Sequence, residues 1–280
     1  MGIVGQPEQR IASMESETLT YLYGIVPEDA PEPPADLAGI EGAPVRLLRA
    51  VGLAAVVGDV PAEVYAAERL DARLADLPWV GERGVAHEIV LTWFADRGPV
   101  IPLSLFSLHR DEERITARLE QNAPRLRELL ARLAGRQEWG VKVRRIDATV
   151  AAHLELLSPR LRALAQEMES APPGRRFLLA KKRDAMRGEE LRAVTTDAVR
   201  RVFEELEACA ERSTRLQVVA NAGEAERPLV LHGAFLVPEA EYPAFQQRLS
   251  EAAHCYGALG FEFEFTGPWP PYHFADADAA

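Results

Sequence analysis

From Glu138 onward the chain alternates between two hydrophobic periods in an order that few folds can accommodate. The stretch EWGVKVRRI, Glu138 to Ile146, alternates like a strand, and a helical stretch follows through Ala148 to Met168 until Ala-Pro-Pro-Gly at 171–174 interrupts it. Leu191, Val194, Ala198, Val202, Leu206 and Cys209 then recur at spacings of three and four, which predicts a long helix. Arg215–Ala220 and Leu229–Val237 read as strands separated by a turn-rich segment. Pro238 and Glu239 open a last helix with Tyr242, Phe245, Leu249 and Tyr256 on one stripe, and FEFEF, Phe261 to Phe265, closes the series with Phe inward and Glu outward. The order β-α-β-β-α-β is that of a ferredoxin-like domain, an antiparallel sheet with helices on one face.

The preceding half is a looser version of the same α+β plan. TLTYLYGIV, Thr18 to Val26, predicts a strand that Pro27 stops, and a proline-rich acidic loop follows. Val45–Val51 and Leu53–Val57 read as a hairpin turning at Gly52 and ending at Gly58-Asp59. Ala62 to Arg97 is helical with a break at Pro78, and Val100–Phe106 is a short apolar run suited to a buried strand. Asp111, Glu112 and Glu113 place acids in the first turn of a helix that ends at Gly135, with Pro124 a point where it could restart. The expected organisation is therefore a flexible extension over residues 1–17, an α+β domain over 18–137 and a ferredoxin-like domain over 138–275. With helices on one face only, each sheet would leave an open face.

Charge narrows the function classes. A formal net charge of −11 opposes nonspecific nucleic-acid binding, which needs cations to displace counterions from phosphate. No apolar run approaches the ~18 residues of a membrane span. The first residues lack the charged-then-apolar layout of a signal peptide, so a cytoplasmic location is expected. Cys209 and Cys255, the only cysteines, both fall in helical apolar patterns and read as two separately buried thiols.

Catalytic signatures are sparse. His87-Glu88 starts like a zinc-protease helix motif, but Leu91 stands where the second histidine belongs, so His87 reads as a core or helix-face residue. Gly81 and Gly84 lie inside a helical stretch and do not form a phosphate loop. His109, between a strand and a helix, and His232, within a strand, are the histidines around which a ligand pocket would be sought. A small-ligand sensor or oxygenase-type enzyme built on a ferredoxin-like sheet is the alternative class that such a pocket would favour.

Two stretches are candidates for partner binding. Arg175, Arg176, Lys181, Lys182, Arg183 and Arg187 form the one cationic cluster of an acidic chain, near a helix N-terminus where the macrodipole gives cations no help. The closing GPWPPYHF offers Trp269 and Tyr272, either as a docking motif or as a rigid strip packed back on the protein. Its prolines remove backbone donors and are expected to end strand pairing.

Taken together, YLYGIV at Tyr21–Val26, His87 followed by VIPLSLF and RDEERI, EWGVKV at Glu138–Val143, GRRFLLAKK at Gly174–Lys182 and the terminal TGPWPPYHF resemble the gas vesicle protein F/L family over about Thr18 to Phe274. Ser107 and Phe177 depart from the pattern, where Gly and Tyr are usual. The resemblance implies a two-domain α+β protein of the gas vesicle, without enzymatic activity or cofactor. It implies association with the small hydrophobic shell protein and a role in nucleation or growth of the vesicle wall. An open apolar sheet face would suit such a partner.

Overall fold

The computed structural model describes residues 18–218 and 226–275. The predicted extension over 1–17 and the last residues of the strand predicted over Arg215–Ala220 lie outside them. The chain forms two compact units, one built on Met1–Arg132 and the other on Leu133–Asp276.

In the first unit, β1 (Thr18–Pro27), β2 (Arg46–Ala50), β3 (Leu53–Pro61) and β4 (Ile101–Pro102) form an antiparallel sheet in the order β2-β3-β1-β4. The β2–β3 turn falls on Val51 and Gly52, both at positive φ (48° and 76°), which matches the right-handed twist of the flanking strands. Such a φ strains a β-branched residue, and the Val51 carbonyl is held by the Arg127 guanidinium. β3 runs past the predicted stop at Gly58, because the ring of Tyr23 packs against the space a side chain would need there.

Three helices separate β3 from β4: α1 (Ala62–Tyr65), α2 (Ala67–Arg73) and α3 (Leu77–Ala95). Asp76 caps α3 by accepting the Trp79 amide at 3.2 Å, and Pro78 sits in the first turn, where its missing N–H costs nothing. The run predicted as one strand over Val100–Phe106 is broken. β4 is two residues long, the chain bends away over 103–107, and β5 (Leu108–His109) rejoins β1. Phe106 adopts φ 67°, donates its amide to the Tyr21 hydroxyl at 2.9 Å and stacks on Trp79 with centroids 5.5 Å apart. α4 (Glu112–Leu133) follows without interruption, Pro124 being accommodated inside it.

The expectation of helices on one face fails here. Tyr21 and Tyr23 meet His87 of α3 on one side, and Leu91 of α3 comes so close to Gly24 that a Cβ would lie 2.9 Å from it. On the other side Leu22 and Ile25 face Ile115, Leu119 and Leu126 of α4. The sheet is covered on both faces, which is why Leu53–Val57 is an unbroken buried apolar run instead of an alternating one.

The second unit contains β6 (Arg136–Arg145), α5 (Asp147–Ala152), α6 (Leu154–Leu157), α7 (Pro159–Ser170), α8 (Pro173–Glu207), β7 (Arg212–Arg215), β8 (Leu229–Pro238), α9 (Tyr242–Gly257) and β9 (Phe261–Trp269). Its antiparallel sheet has the order β7-β8-β6-β9. Counted within each unit, both sheets are therefore ordered 2-3-1-4. Val202, Phe203 and Leu206 of α8 and Phe245, Leu249 and Ala252 of α9 pack with Val141, Val143, Phe235 and Phe261 on one sheet face. β7 lies earlier than predicted, because Arg212–Arg215 pair with Gly233–Leu236. β9 also runs further than predicted: Gly267–Trp269 stay in the strand across a bulge, with Trp269 opposite Glu138.

α8 is the anomaly of this unit. Its 35 residues span about 52 Å at 1.5 Å per residue, whereas the ten residues of β6 reach only about 33 Å. Its first half overhangs the Arg145 end of the sheet, where Arg145 bonds Asp147 and Thr195 and Gly260 abuts Thr149 and Val150. There it packs on α6 and α7 around a separate small core of Leu154, Leu161, Leu164, Ala171 and Leu179. Ser158 joins the pieces. Its Oγ accepts the Leu161 amide and donates to the buried Glu190 carboxylate at 2.8 Å, and Arg160 pairs with that carboxylate at 2.6 Å.

His87 gives the first unit a pH dependence. Burial pushes its pKa down to about 4, a shift only partly opposed by the nearby Leu103 backbone. A folded pKa below the unfolded value means that stability is present above about pH 6.5 and is lost as pH falls toward 4. The shift corresponds to a loss of roughly 2 kcal/mol between pH 7 and pH 5. Denaturant unfolding at those two pH values should show this difference in the native protein and a smaller one in His87→Phe.

Candidate functional site

Helix α3 is rich in apolar residues that are spread over more than one face, interspersed with Glu82, Arg83 and Glu88. Yet only one side is buried: Trp79, His87, Val90, Leu91 and Phe94 face the sheet. On the opposite side Leu77, Val85 and Ile89 are 76%, 61% and 53% exposed. With Gly81 they form an i, i+4 ridge, the element by which one helix fits the groove of another. Gly81 and its neighbour Gly84 have nothing within 4 Å of where a Cβ would sit. A glycine inside a helix costs about 1 kcal/mol relative to alanine, and no contact among the described residues explains either of them. In the sequence these glycines stand out only as a failed match to a phosphate loop. The informative signal is the spacing of Leu77, Gly81, Val85 and Ile89, one apolar or small residue every four.

The cationic cluster separates into two groups. Arg175 pairs with Glu167 at 2.5 Å, Arg176 donates to the Met168 and Ala171 carbonyls, Arg183 reaches Glu155 at 3.4 Å, and Arg187 donates to the Ala151 carbonyl. These four fasten α8 to the helices before it. Lys181 and Lys182 remain exposed, Lys181 lying 5.1 Å over the ring of Phe177. Phe177 and Leu178 beside them are 60% and 66% exposed.

The tail is anchored elsewhere than expected. Trp269 is 41% exposed, with its indole N–H donated to Thr266 Oγ1 at 3.1 Å. Tyr272 is half-buried, and the buried residues are Pro270, Pro271 and Phe274, with the Arg212 guanidinium 5.5 Å over the Phe274 ring. Glu138, buried on the sheet face opposite the helices, accepts the His273 amide at 3.0 Å and meets His273 Nδ1 at 2.5 Å. This contact was invisible in the sequence, where Glu138 opens a strand and His273 lies 135 residues away. The Glu138 carboxylate raises the His273 pKa, so the clasp contributes most below about pH 6.5 and weakens as pH rises through the folded value. Trp269 and Tyr272 thus lie at the Glu138 end of the sheet and the lysine pair on the overhang at its Arg145 end. The structure does not bring the two predicted groups together.

The remaining chemical candidates are modest. His109 borders an apolar cavity of about 10 Å³, room for at most a water, and its pKa is lowered by burial and by Arg118. His232 is lowered by burial and by Lys142. The His87 Nδ1 accepts the Tyr21 hydroxyl at 2.8 Å, while its Nε2 has no hydrogen-bond partner among the described residues. Among the described residues no group of His, Cys, Asp and Glu has metal-binding geometry, and no helix is long and apolar enough to cross a membrane. Cys209 is half-buried, but Cys255 is exposed, contrary to the expectation of two buried thiols. α9 turns its Ala252 side inward and leaves position 255 in an open groove beside α8.

Known proteins match this architecture along nearly its whole length. The family described as gas vesicle synthesis protein GvpL/GvpF matches residues 19–276. Gas vesicle protein L of a Streptomyces species is 35% identical, over 94% of this chain and 94% of its own, and gas vesicle protein L1 of Halobacterium salinarum is 28% identical over 96% and 95%. Among solved structures, gas vesicle protein GvpF from an Anabaena species superposes with a TM-score of 0.67 at 23% identity, covering 92% of this chain and 98% of that one. GvpF from Microcystis aeruginosa superposes with a TM-score of 0.63 at 20% identity, over 92% and 99%.

The tail geometry separates two aromatic residues that look alike in sequence. Phe274→Ala should destabilise the protein by about 3–5 kcal/mol, the usual loss for a buried phenylalanine, whereas Trp269→Ala should cost less than about 1 kcal/mol. Urea titration of the two variants checks the ranking.

Proposed function

Since this chain belongs to the gas vesicle GvpL/GvpF family, we propose that it is an assembly factor that binds the small hydrophobic shell protein and promotes nucleation or growth of the vesicle wall, without acting as an enzyme. The observation that carries this reading is the exposed ridge of α3. Leu77, Val85 and Ile89 offer roughly 1.5–3 kcal/mol each on full burial, and the gap at Gly81 and Gly84 lets a partner backbone approach closely. A shell subunit that is itself apolar and prone to self-association needs such a surface before it is incorporated into the wall. The ridge takes the place of the open sheet face expected from sequence, which α3 and α4 cover in the first unit.

The same reading takes the second unit as a ferredoxin-like domain. In its support, β9-β6-β8-β7 is the 4-1-3-2 order of that fold, with α8 and α9 as the two crossover helices. The first unit keeps the strand order and replaces the first crossover helix by the proline-rich loop between β1 and β2. The working location that follows is the gas vesicle and the cytoplasm where its subunits are collected.

A capture experiment with purified shell protein tests the reading. The double variant Val85→Glu, Ile89→Glu should fold normally by circular dichroism and retain less than about a tenth of the capture, since each change places a charge in an interface that must be desolvated. Gly81→Leu should reduce capture similarly by filling the gap. Undiminished capture by both, or normal vesicle number and shape after gene deletion, would refute the proposal.

A further inference from the structure

The overhanging half of α8 carries a second surface that the shell-binding reading does not use. Leu179, Met186 and Glu190 turn toward α6 and α7, so the opposite side of the helix is left to solvent. On that side Phe177, Lys181, Ala185 and Gly188 follow one another at spacings of four, four and three, with Leu178 and Lys182 along one edge. Phe177, Leu178, Lys181 and Lys182 are all exposed. A Cβ at Gly188 would meet only the tip of Arg192, at 3.9 Å, so packing within this chain does not require glycine there.

The acids on this side, Asp184 and Glu189, are paired with Arg183 and Arg160, which leaves the lysines as its free charges among the described residues. Lys142, Lys181 and Lys182 are the only lysines in a chain of net charge −11, and two of the three stand here together. The four neighbouring arginines are used in bonds to α5, α6, α7 and the turn before α8, as described above. The lysines make no hydrogen bond or ion pair of this kind among the described residues and stay exposed. Cationic side chains beside exposed aromatic and aliphatic ones fit a ligand with both an apolar stripe and negative charge. Two lysines are too few for a lipid surface, which takes clusters of about four to eight cations, and the overall charge opposes nucleic acid.

We infer that the outer face of α8 between Phe177 and Gly188 docks an amphipathic helix with an acidic edge from a partner protein. Phe177 and Leu178 receive the apolar stripe, Lys181 and Lys182 pair with the flanking carboxylates, and Ala185 and Gly188 let the two helix backbones approach. The face is independent of the α3 ridge, so the inference stands whether or not the shell protein binds there.

The probe is a fluorescein-labelled designed helix of about 18 residues with a leucine stripe flanked by glutamates, read by anisotropy against the full-length protein. A counterpart with lysines in place of the glutamates is the control. Binding of the acidic helix should weaken at least about tenfold in Lys181→Glu, Lys182→Glu and in Phe177→Ser, Leu178→Ser, and should fall as salt rises from about 50 to 500 mM. It should be unchanged in Val85→Glu, Ile89→Glu. No binding, equal binding of the basic helix, or binding indifferent to the α8 variants would overturn the inference. So would co-sedimentation with phosphatidylserine vesicles that the α8 variants abolish, since that would identify a lipid surface as the occupant.

Discussion

The orientation of α3 rests on a few polar contacts, chiefly the buried Tyr21–His87 hydrogen bond and the Arg83–Glu41 pair at 2.8 Å. The apolar residues of this helix are spread over more than one face, so hydrophobic burial alone gives little reason to prefer one side over another. The Tyr21 hydroxyl is the buried junction among those contacts. It donates to His87 Nδ1 at 2.8 Å while accepting the Phe106 amide at 2.9 Å, tying the helix, the central strand and the loop after β4 to a single oxygen. Rolling the helix to bury Val85 and Ile89 would strand those polar groups at about 1–3 kcal/mol each. A buried polar contact thus selects which apolar face is left for others, and it does so at the expense of pH sensitivity in the buried imidazole.

How much of this was legible depended on whether the deciding interaction was local. The alternation in Glu138–Ile146 and Phe261–Phe265 and the stripe in α9 predicted their elements, because a strand or helix half buried against a core writes its period into the sequence. The β2–β3 hairpin was legible from two apolar runs that meet at Gly52, although β3 continues past Gly58-Asp59. The interruption between β4 and β5 was not readable, since Phe106 is pulled out of the strand by Tyr21 and Trp79, far away in the chain. Nor could the sequence rank Trp269 against Phe274: both are aromatic residues in a proline-rich tail, and only the fold shows which one reaches Arg212.

The surfaces were legible to a different degree. The cationic cluster was visible as a run of charge, but its division into arginines that fasten helices and lysines that face water is a property of the packed arm. The α3 ridge was missed because exposed and buried apolar residues look the same until a sheet occupies one side. Family membership supplies the biological setting for both surfaces, and the geometry supplies their chemistry: one an apolar ridge notched by glycine, the other apolar with a cationic edge. They lie on different units, so a change in one need not disturb the other.

The Glu138–His273 clasp also imposes an order on the birth of the protein. Glu138 sits in β6, the first strand of its sheet, while β9 and the histidine that meets its carboxylate are the last described parts of the chain to be made. Every residue of the first sheet is already synthesised by then, and N-terminal units generally fold as they emerge. The ridge on α3 is therefore ready while the ribosome is still adding the strand that completes the second sheet. A truncated product that stops before Phe261 would present the ridge on a finished first unit and carry behind it a second sheet that lacks β9 and a Glu138 that lacks its histidine.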